Sequence, residues 1–287
     1  MKAKPSGTLP LLSEWSLPEM LKRAIRLVEE NEPEEGYHGA FSGGKDSIAV
    51  KAVSDMAELK KPVQWAYSVT TIDPPELFRF IREQYPEVKR VMPPHGAFFP
   101  LMEKKGVPPT RRSRWCCDKL KENASPPGAT VIMGIRAEES PGRAAYGGTV
   151  IERFQKVRAV LPIFEWASDE VWEFIRSNGL PYPSLYDEGF TRLGCIGCPV
   201  TNAHNRRREF ERWPAFERRW RLAFQRVWDR KSGTMQRNGR PWFLSDNFDT
   251  ADDAWEWYVG NHDRDFRQDE DDAQGELEFG APENKGE

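Results

Sequence analysis

The stretch FSGGKDSIAV, residues 41–50, constrains the fold more than any other part of the chain. YHGAF at 37–41 leads into it and reads as a short buried strand. From Ser47 to Leu59 the residues Ile48, Val50, Ala52, Val53, Met56 and Leu59 make a mostly apolar helix. The local order is strand, glycine loop, helix. Gly43 and Gly44 permit dihedrals closed to other residues, so that successive backbone N–H groups converge on an oxyanion at the start of the helix. Ser42 and Ser47 add hydroxyls, Lys45 adds a mobile positive charge, and Asp46 completes the loop. Physically this is a pyrophosphate cradle, although its spacing is neither GxxxxGK[ST] nor GxGxxG.

The surrounding chain continues the alternation. VQWAYSV (63–69), VKRVM (88–92), TVIMGIR (130–136) and VRAVLPIF (157–164) read as four more strands, with a helix over PPELFRFIREQY (74–85). The expected fold class is α/β, a parallel five-stranded sheet with helices on both faces. Ser16 and Glu19 form a capping box for a helix before the glycine loop, and Ser168 and Gly179 read as the N-cap and stop of a later helix. The expected division is an N-terminal helix (1–34), a nucleotide-binding and cysteine-bearing domain (35–200), an Arg/Trp-rich helical extension (201–260) and an acidic, disordered tail (261–287).

A net charge of −3 over 287 residues excludes a uniformly basic nucleic-acid coat but conceals an asymmetry. Residues 205–231 hold ten bases against four acids, whereas 246–287 hold 15 acids against three bases. In the basic segment, Trp213, Phe216, Trp220, Phe224 and Trp228 recur at the spacing of a helix burying one face. Its arginines either offset negative charge nearby or hold a nucleic-acid acceptor over 205–231. No apolar run of 18 residues occurs and the first residues lack a signal-peptide core, so the expectation is a cytoplasmic protein with no membrane partner.

The four cysteines fall in two groups, Cys116 with Cys117 and Cys195 with Cys198. In a reducing compartment this grouping favours metal ligation or redox chemistry over disulfides. Four thiolates close either a tetrahedral zinc site or a [4Fe-4S] cluster. Zinc ribbons normally present two CxxC knuckles. Adjacent cysteines in extended chain point away from one another and suit the larger cluster, with zinc and redox thiols as the alternatives.

SGGKDS resembles the PP-loop of the adenine-nucleotide alpha-hydrolase superfamily, which binds the β,γ-phosphates of ATP or the phosphosulfate of a sulfonucleotide. CC followed by CxxC is similar to the cluster motif of adenylyl-sulfate (APS) reductases. GIRAEESPGR (134–143) resembles the G-I-R-x-x-E-S-x-x-R of the phosphoadenosine phosphosulfate (PAPS) reductase family, and residues 161–199 are similar to that family's approach to its second cysteine pair. The resemblance covers roughly residues 35–200. It implies that Gly134 and Arg136 lie at a strand end facing an anion, that Arg143 reaches the same phosphates, and that Arg114 and Lys121 flank the cluster.

Two departures from the reductases matter. Their nucleophile sits in a Glu-Cys-Gly-Leu-His segment, yet here no cysteine follows Cys198. Lys45 suits a triphosphate, and TTIDPPELF (70–78) replaces an Asp-Thr-Gly stretch. The DndC-type proteins of DNA phosphorothioate modification share this combination. The implied function is an ATP pyrophosphatase-type, adenylating sulfurtransferase. ATP would lie on Ser42–Ser47 with Mg²⁺ helped by Asp46 or Asp73, and Lys45, Asp46 and Arg136 would be catalytic. A [4Fe-4S] cluster on Cys116, Cys117, Cys195 and Cys198 would serve sulfur transfer from a donor or reductant protein. The alternatives are an APS/PAPS reductase yielding sulfite and a non-catalytic nucleotide- or DNA-binding subunit.

Overall fold

His38–Ala40 forms β1 in the computed structural model, which describes residues 16–121, 125–154, 156–235 and 242–260. β2 (Gln64–Ser68), β3 (Lys89–Val91), β4 (Thr130–Met133), β5 (Val150–Phe154) and β6 (Val157–Val160) complete one sheet in the order β3-β2-β1-β4-β6-β5. Every pairing is parallel except that of β5 with β6. All five expected strands are present and parallel, and the sheet has a sixth, antiparallel edge strand. Val150–Phe154 carries the charged pair Glu152 and Arg153 in mid-strand, as suits an edge, and Glu152 pairs with Arg158 on β6 at 3.2 Å.

Ile132 and Val160 belong to the main core, with Met20, Ala24 and Val28 of helix Leu17–Glu30, Ile48, Val50 and Val53 of helix Lys45–Met56, and Val171, Phe174 and Ile175 of helix Ser168–Ser177. Ala159, Leu161 and Phe164 form a smaller cluster against Met133 and Ile151. Neighbours along a strand point to opposite faces, so 132 and 160 lie on one face, 133 and 159 on the other, and the sheet is covered on both.

The capping box forms as expected, with both Ser16 N–H and its hydroxyl donating to Glu19 Oε2 at 3.0 and 2.6 Å. The later helix starts one residue earlier than expected. Ala167 is its N-cap, and its N–H is held by Glu170 Oε2 at 2.5 Å, so Ser168 is the first helical residue. Glu170 performs the capping that a serine hydroxyl would otherwise supply.

Two compact units are distinguished. The described residues up to Pro94 with Lys119–Cys195 make the sheet unit, and His95–Asp118 with the described residues from Ile196 onward make a helical unit. The helical unit contains helices Phe98–Lys105, Ala203–Arg212, Pro214–Lys231, Phe243–Asn247 and Ala251–Val259. Of the five interleaved aromatics Trp213, Trp220 and Phe224 are buried there and Phe216 and Trp228 are half-buried, so most of them are core, alongside Phe98, Trp255 and Tyr258. The acidic tail over 261–287 lies outside the described residues. No described helix is long and apolar enough to cross a membrane.

Candidate functional site

The direction of the chain along the sheet reverses between β1 and β4. Segments leaving β1 proceed to β2 and β3 on one side, and β4 opens the other. In open α/β sheets the crevice for ligands lies beyond the carboxyl ends of the strands at this switch point. The glycine loop leaves β1 there and Gly134–Arg136 leaves β4 there, so topology brings together two motifs 90 residues apart in the chain.

Gly43 carries a φ of +73°, and a Cβ on it would stand 2.8 Å from Leu77 and Ile81. Glycine is required both for conformation and for space. Gly44 differs from expectation, since at φ −80° and ψ 161° it is an ordinary extended N-cap. The helix therefore begins at Lys45, two residues before the expected Ser47, and the first-turn N–H groups of Lys45, Asp46 and Ser47 lie where no intrahelical acceptor exists. Tyr186 takes one of them, its hydroxyl accepting from Lys45 N at 2.9 Å. Ser47 Oγ braces the loop internally, donating to Gly44 O at 2.9 Å and accepting from Ser42 N at 3.2 Å.

Asp46 Oδ1 faces two cations, Lys45 Nζ at 2.8 Å and Arg136 Nε at 2.6 Å. Both side chains are only 6% exposed. Arg136 Nη1 donates to Glu138 Oε2 at 2.5 Å and to Trp166 O at 3.2 Å, while Nη2 has no hydrogen-bond acceptor among the described residues. Burial opposes the Arg136 charge, but Asp46, Glu138 and Glu139 outweigh it and raise its pKa. Burial likewise works against the Glu138 carboxylate, yet Arg136 and the Ser168 N–H hold its pKa below the usual value. Glu139 joins the arginines, accepting from Arg136 N at 3.2 Å and pairing with Arg143. Gly134 lets β4 approach the loop, since a Cβ there would stand 2.8 Å from the Asp46 carbonyl.

Beyond β2, Asp73 Oδ2 accepts from Thr70 N at 2.8 Å, and Cys195 Sγ lies 3.4 Å from Thr70 Oγ1 and 3.9 Å from Asp73 Oδ1. Burial, with Asp73 and Cys195 beside it, raises the pKa of the Tyr67 phenol. Thr71 in this loop has φ +67°, a costly conformation for a β-branched residue of the kind that clusters at functional sites.

In the helical unit, Cys116 and Cys117 lie on helix Trp115–Leu120. They are not in extended chain as expected, so their thiols diverge by the turn of a helix. Cys198 sits in a loop whose backbone is held at successive residues. Trp220 Nε1 donates to Ile196 O at 3.1 Å, Tyr258 hydroxyl donates to Gly197 O at 2.8 Å, and Glu209 accepts from Gly197 N at 2.8 Å. Gly197 has φ +76°, and a Cβ would meet Phe210 at 2.7 Å and Trp220 at 2.8 Å.

Arg206 donates to Cys198 O at 3.4 Å, Pro199 O at 3.3 Å and Thr201 O at 2.8 Å, and also to Tyr258 O. It is 1% exposed, so it is unavailable to a nucleic acid. Arg221 and Arg226 pair with acids, Arg221 with Glu217, Asp252 and Glu256 and Arg226 with Glu103, whereas Arg207 and Arg218 are exposed. Burial lowers the Arg206 pKa against opposing charge from Tyr258, Glu209 and Cys198. Cys116 and Cys198 both count among the groups raising the pKa of Tyr258, after its burial.

Among the described residues no three His, Cys, Asp or Glu side chains stand in a preformed metal cage. The donor chemistry nevertheless fits a thiolate-bound metal group. Its second cysteine loop is held by side-chain hydrogen bonds at successive residues, and among the described residues the fully buried cation beneath Cys198 has no hydrogen-bonded carboxylate. Tyr186, Glu138, Glu139 and Arg206 are the site residues that sequence reasoning gave no role or left open. Only the paired acids between Arg136 and Arg143 carried a readable signal.

Residues 37–201, more than half of the chain, match the phosphoadenosine phosphosulfate reductase domain. An uncharacterized protein of Methanocaldococcus jannaschii is 28% identical over 195 residues, covering 63% of this chain and 40% of its own length. An adenosine 5'-phosphosulfate reductase of Staphylococcus haemolyticus is 37% identical over 90 residues, 30% of this chain and 36% of the reductase. The chain thus spans less than half the length of either relative. A phosphoadenylyl-sulfate reductase of Candida auris, solved as a phosphate complex, aligns at a TM-score of 0.47 and 16% identity, covering 68% of this chain and 100% of that one.

Proposed function

The chain belongs to the phosphoadenosine phosphosulfate reductase family, and we propose that within it this protein is an ATP-dependent, adenylating sulfurtransferase. The observation that carries the reading is the meeting of Lys45 and Arg136 on Asp46 at the β1/β4 switch point, beside the start of a helix. That arrangement offers polyphosphate two buried cations and a row of N–H donors.

ATP binds with its β,γ-phosphates on Ser42–Ser47. Gly134 keeps the β4 end close, Arg136 and Arg143 contact the phosphates, and Asp46 or Asp73 helps hold Mg²⁺. An acceptor oxygen attacks the α-phosphorus, the bond to the β-phosphate oxygen breaks, and pyrophosphate leaves on Lys45 and the loop amides. These groups stabilise charge developing on the leaving phosphates. Cys116, Cys117, Cys195 and Cys198 would hold a [4Fe-4S] cluster, which would carry or activate the sulfur nucleophile that displaces AMP. The remaining partners in this reading are a sulfur donor or reductant protein and an acceptor still to be identified.

Reduction of APS is the second reading, favoured by the 37% identity to the staphylococcal reductase. Anaerobically purified protein distinguishes the two. Four irons with acceptor-dependent release of pyrophosphate from ATP support the transferase. Sulfite from APS with a thiol reductant, and no pyrophosphate from ATP, overturns it in favour of the reductase.

A further inference from the structure

We propose that Arg206 is a positioning residue that compensates the negative charge of the thiolate-bound group at Cys198 and so raises its reduction potential; this rests on the cluster reading above. Arg206 is 1% exposed, and its hydrogen bonds to the 198–201 segment and to Tyr258 and Val259 all go to backbone carbonyls. A guanidinium does not shed its proton to escape burial, and among the described residues no carboxylate is hydrogen-bonded to Arg206, a costly arrangement for a buried charge.

Holding a loop does not require that cost. Trp220 and Tyr258 hold the carbonyls of Ile196 and Gly197 in the same loop with neutral donors. The carboxylate facing this loop, Glu209, is hydrogen-bonded to Gly197 N rather than to the guanidinium. The charge is accounted for if an anion forms at Cys198. A cluster bound by four thiolates carries net negative charge and gains one more on reduction, so a fixed cation behind one ligand favours the reduced state.

The test is a redox titration of the full chain, purified anaerobically, followed by visible and EPR spectra. Arg206→Lys should keep the ratio of reduced to oxidised cluster within about twofold of the parent at any ambient potential. Arg206→Gln should lower it at least tenfold, which is about 59 mV for a one-electron couple. Glu209→Gln keeps an acceptor for Gly197 N but removes a nearby negative charge, and should move the ratio the opposite way. A merely structural role predicts no such reversal of sign.

If Arg206→Gln retains iron and titrates like the parent, the proposal is overturned while the cluster reading stands. If Arg206→Gln does not fold, an unchanged ratio in Glu209→Gln overturns it equally. A parent protein without iron overturns both.

Discussion

Asp46 Oδ1 lies 2.6 Å from Arg136 Nε and 2.8 Å from Lys45 Nζ, so one carboxylate bridges two nearly buried cations supplied by the segments that follow β4 and β1. The arrangement is balanced without phosphate and can be rebalanced by it.

Removing that carboxylate makes the balance measurable. Asp46→Asn leaves Lys45 and Arg136 adjacent without their shared counter-charge, and should cost roughly 2–4 kcal/mol of stability. Pyrophosphate without Mg²⁺ replaces the missing charge, so it should raise the urea midpoint more in the variant than in the parent. Equal shifts in both proteins would count against a phosphate site at this pair.

Glu138 gives a pH dependence. Its folded-state pKa lies below the ordinary 4.5, so its contribution to stability is fully present above that value and is lost as the pH falls through the folded pKa. Stability of the parent should therefore decline below about pH 4.5 more steeply than that of Glu138→Gln. Denaturant titrations between pH 3 and 6, a window of roughly 1.5 units either side of that value, compare the slopes. Parallel curves would remove Glu138 from the network.

Tyr186 serves the loop by accepting one N–H. Tyr186→Phe leaves Lys45 N without that acceptor and should destabilise by about 1–2 kcal/mol. Hydrogen exchange at the Lys45 amide should accelerate, and unaltered protection there would show that the hydroxyl does not hold the loop.

Gly197→Ala should cost roughly 2–4 kcal/mol, combining a left-handed conformation with contacts shorter than 3 Å to Phe210 and Trp220. Gly128→Ala is the matched control, since φ is +82° there but no atom lies within 4 Å of the added methyl, so only about 1–2 kcal/mol is expected. Iron content should fall for the first variant alone. Equal loss in both would disconnect the fit of Gly197 from the cysteine loop.

The parts of this architecture legible in the sequence were those written in local periodicity. Apolar runs marked five strands, and SGGKDS marked the loop because its residues act on their own neighbours. Val150–Phe154 escaped because Glu152 and Arg153 interrupt its apolar pattern, and its place at the sheet edge is set by pairing rather than burial. Tyr186 was illegible for a different reason: it meets Lys45 across 141 residues, and nothing near either one announces the other. Arg206 looked like its neighbours in an arginine run. Only the packing of three helices separates it, fully buried, from the exposed Arg207.

The family domain ends at residue 201, yet the side chains that hold the Ile196–Thr201 backbone come from residues 206, 209, 220 and 258. A boundary drawn by sequence kinship thus cuts through a mechanical unit. The second cysteine loop and the helices after it should be inherited together: a lineage that exchanges its C-terminal helices must also re-found the geometry of its cysteines, whereas the glycine loop, braced wholly within the sheet unit, can pass unchanged between relatives of different chemistry.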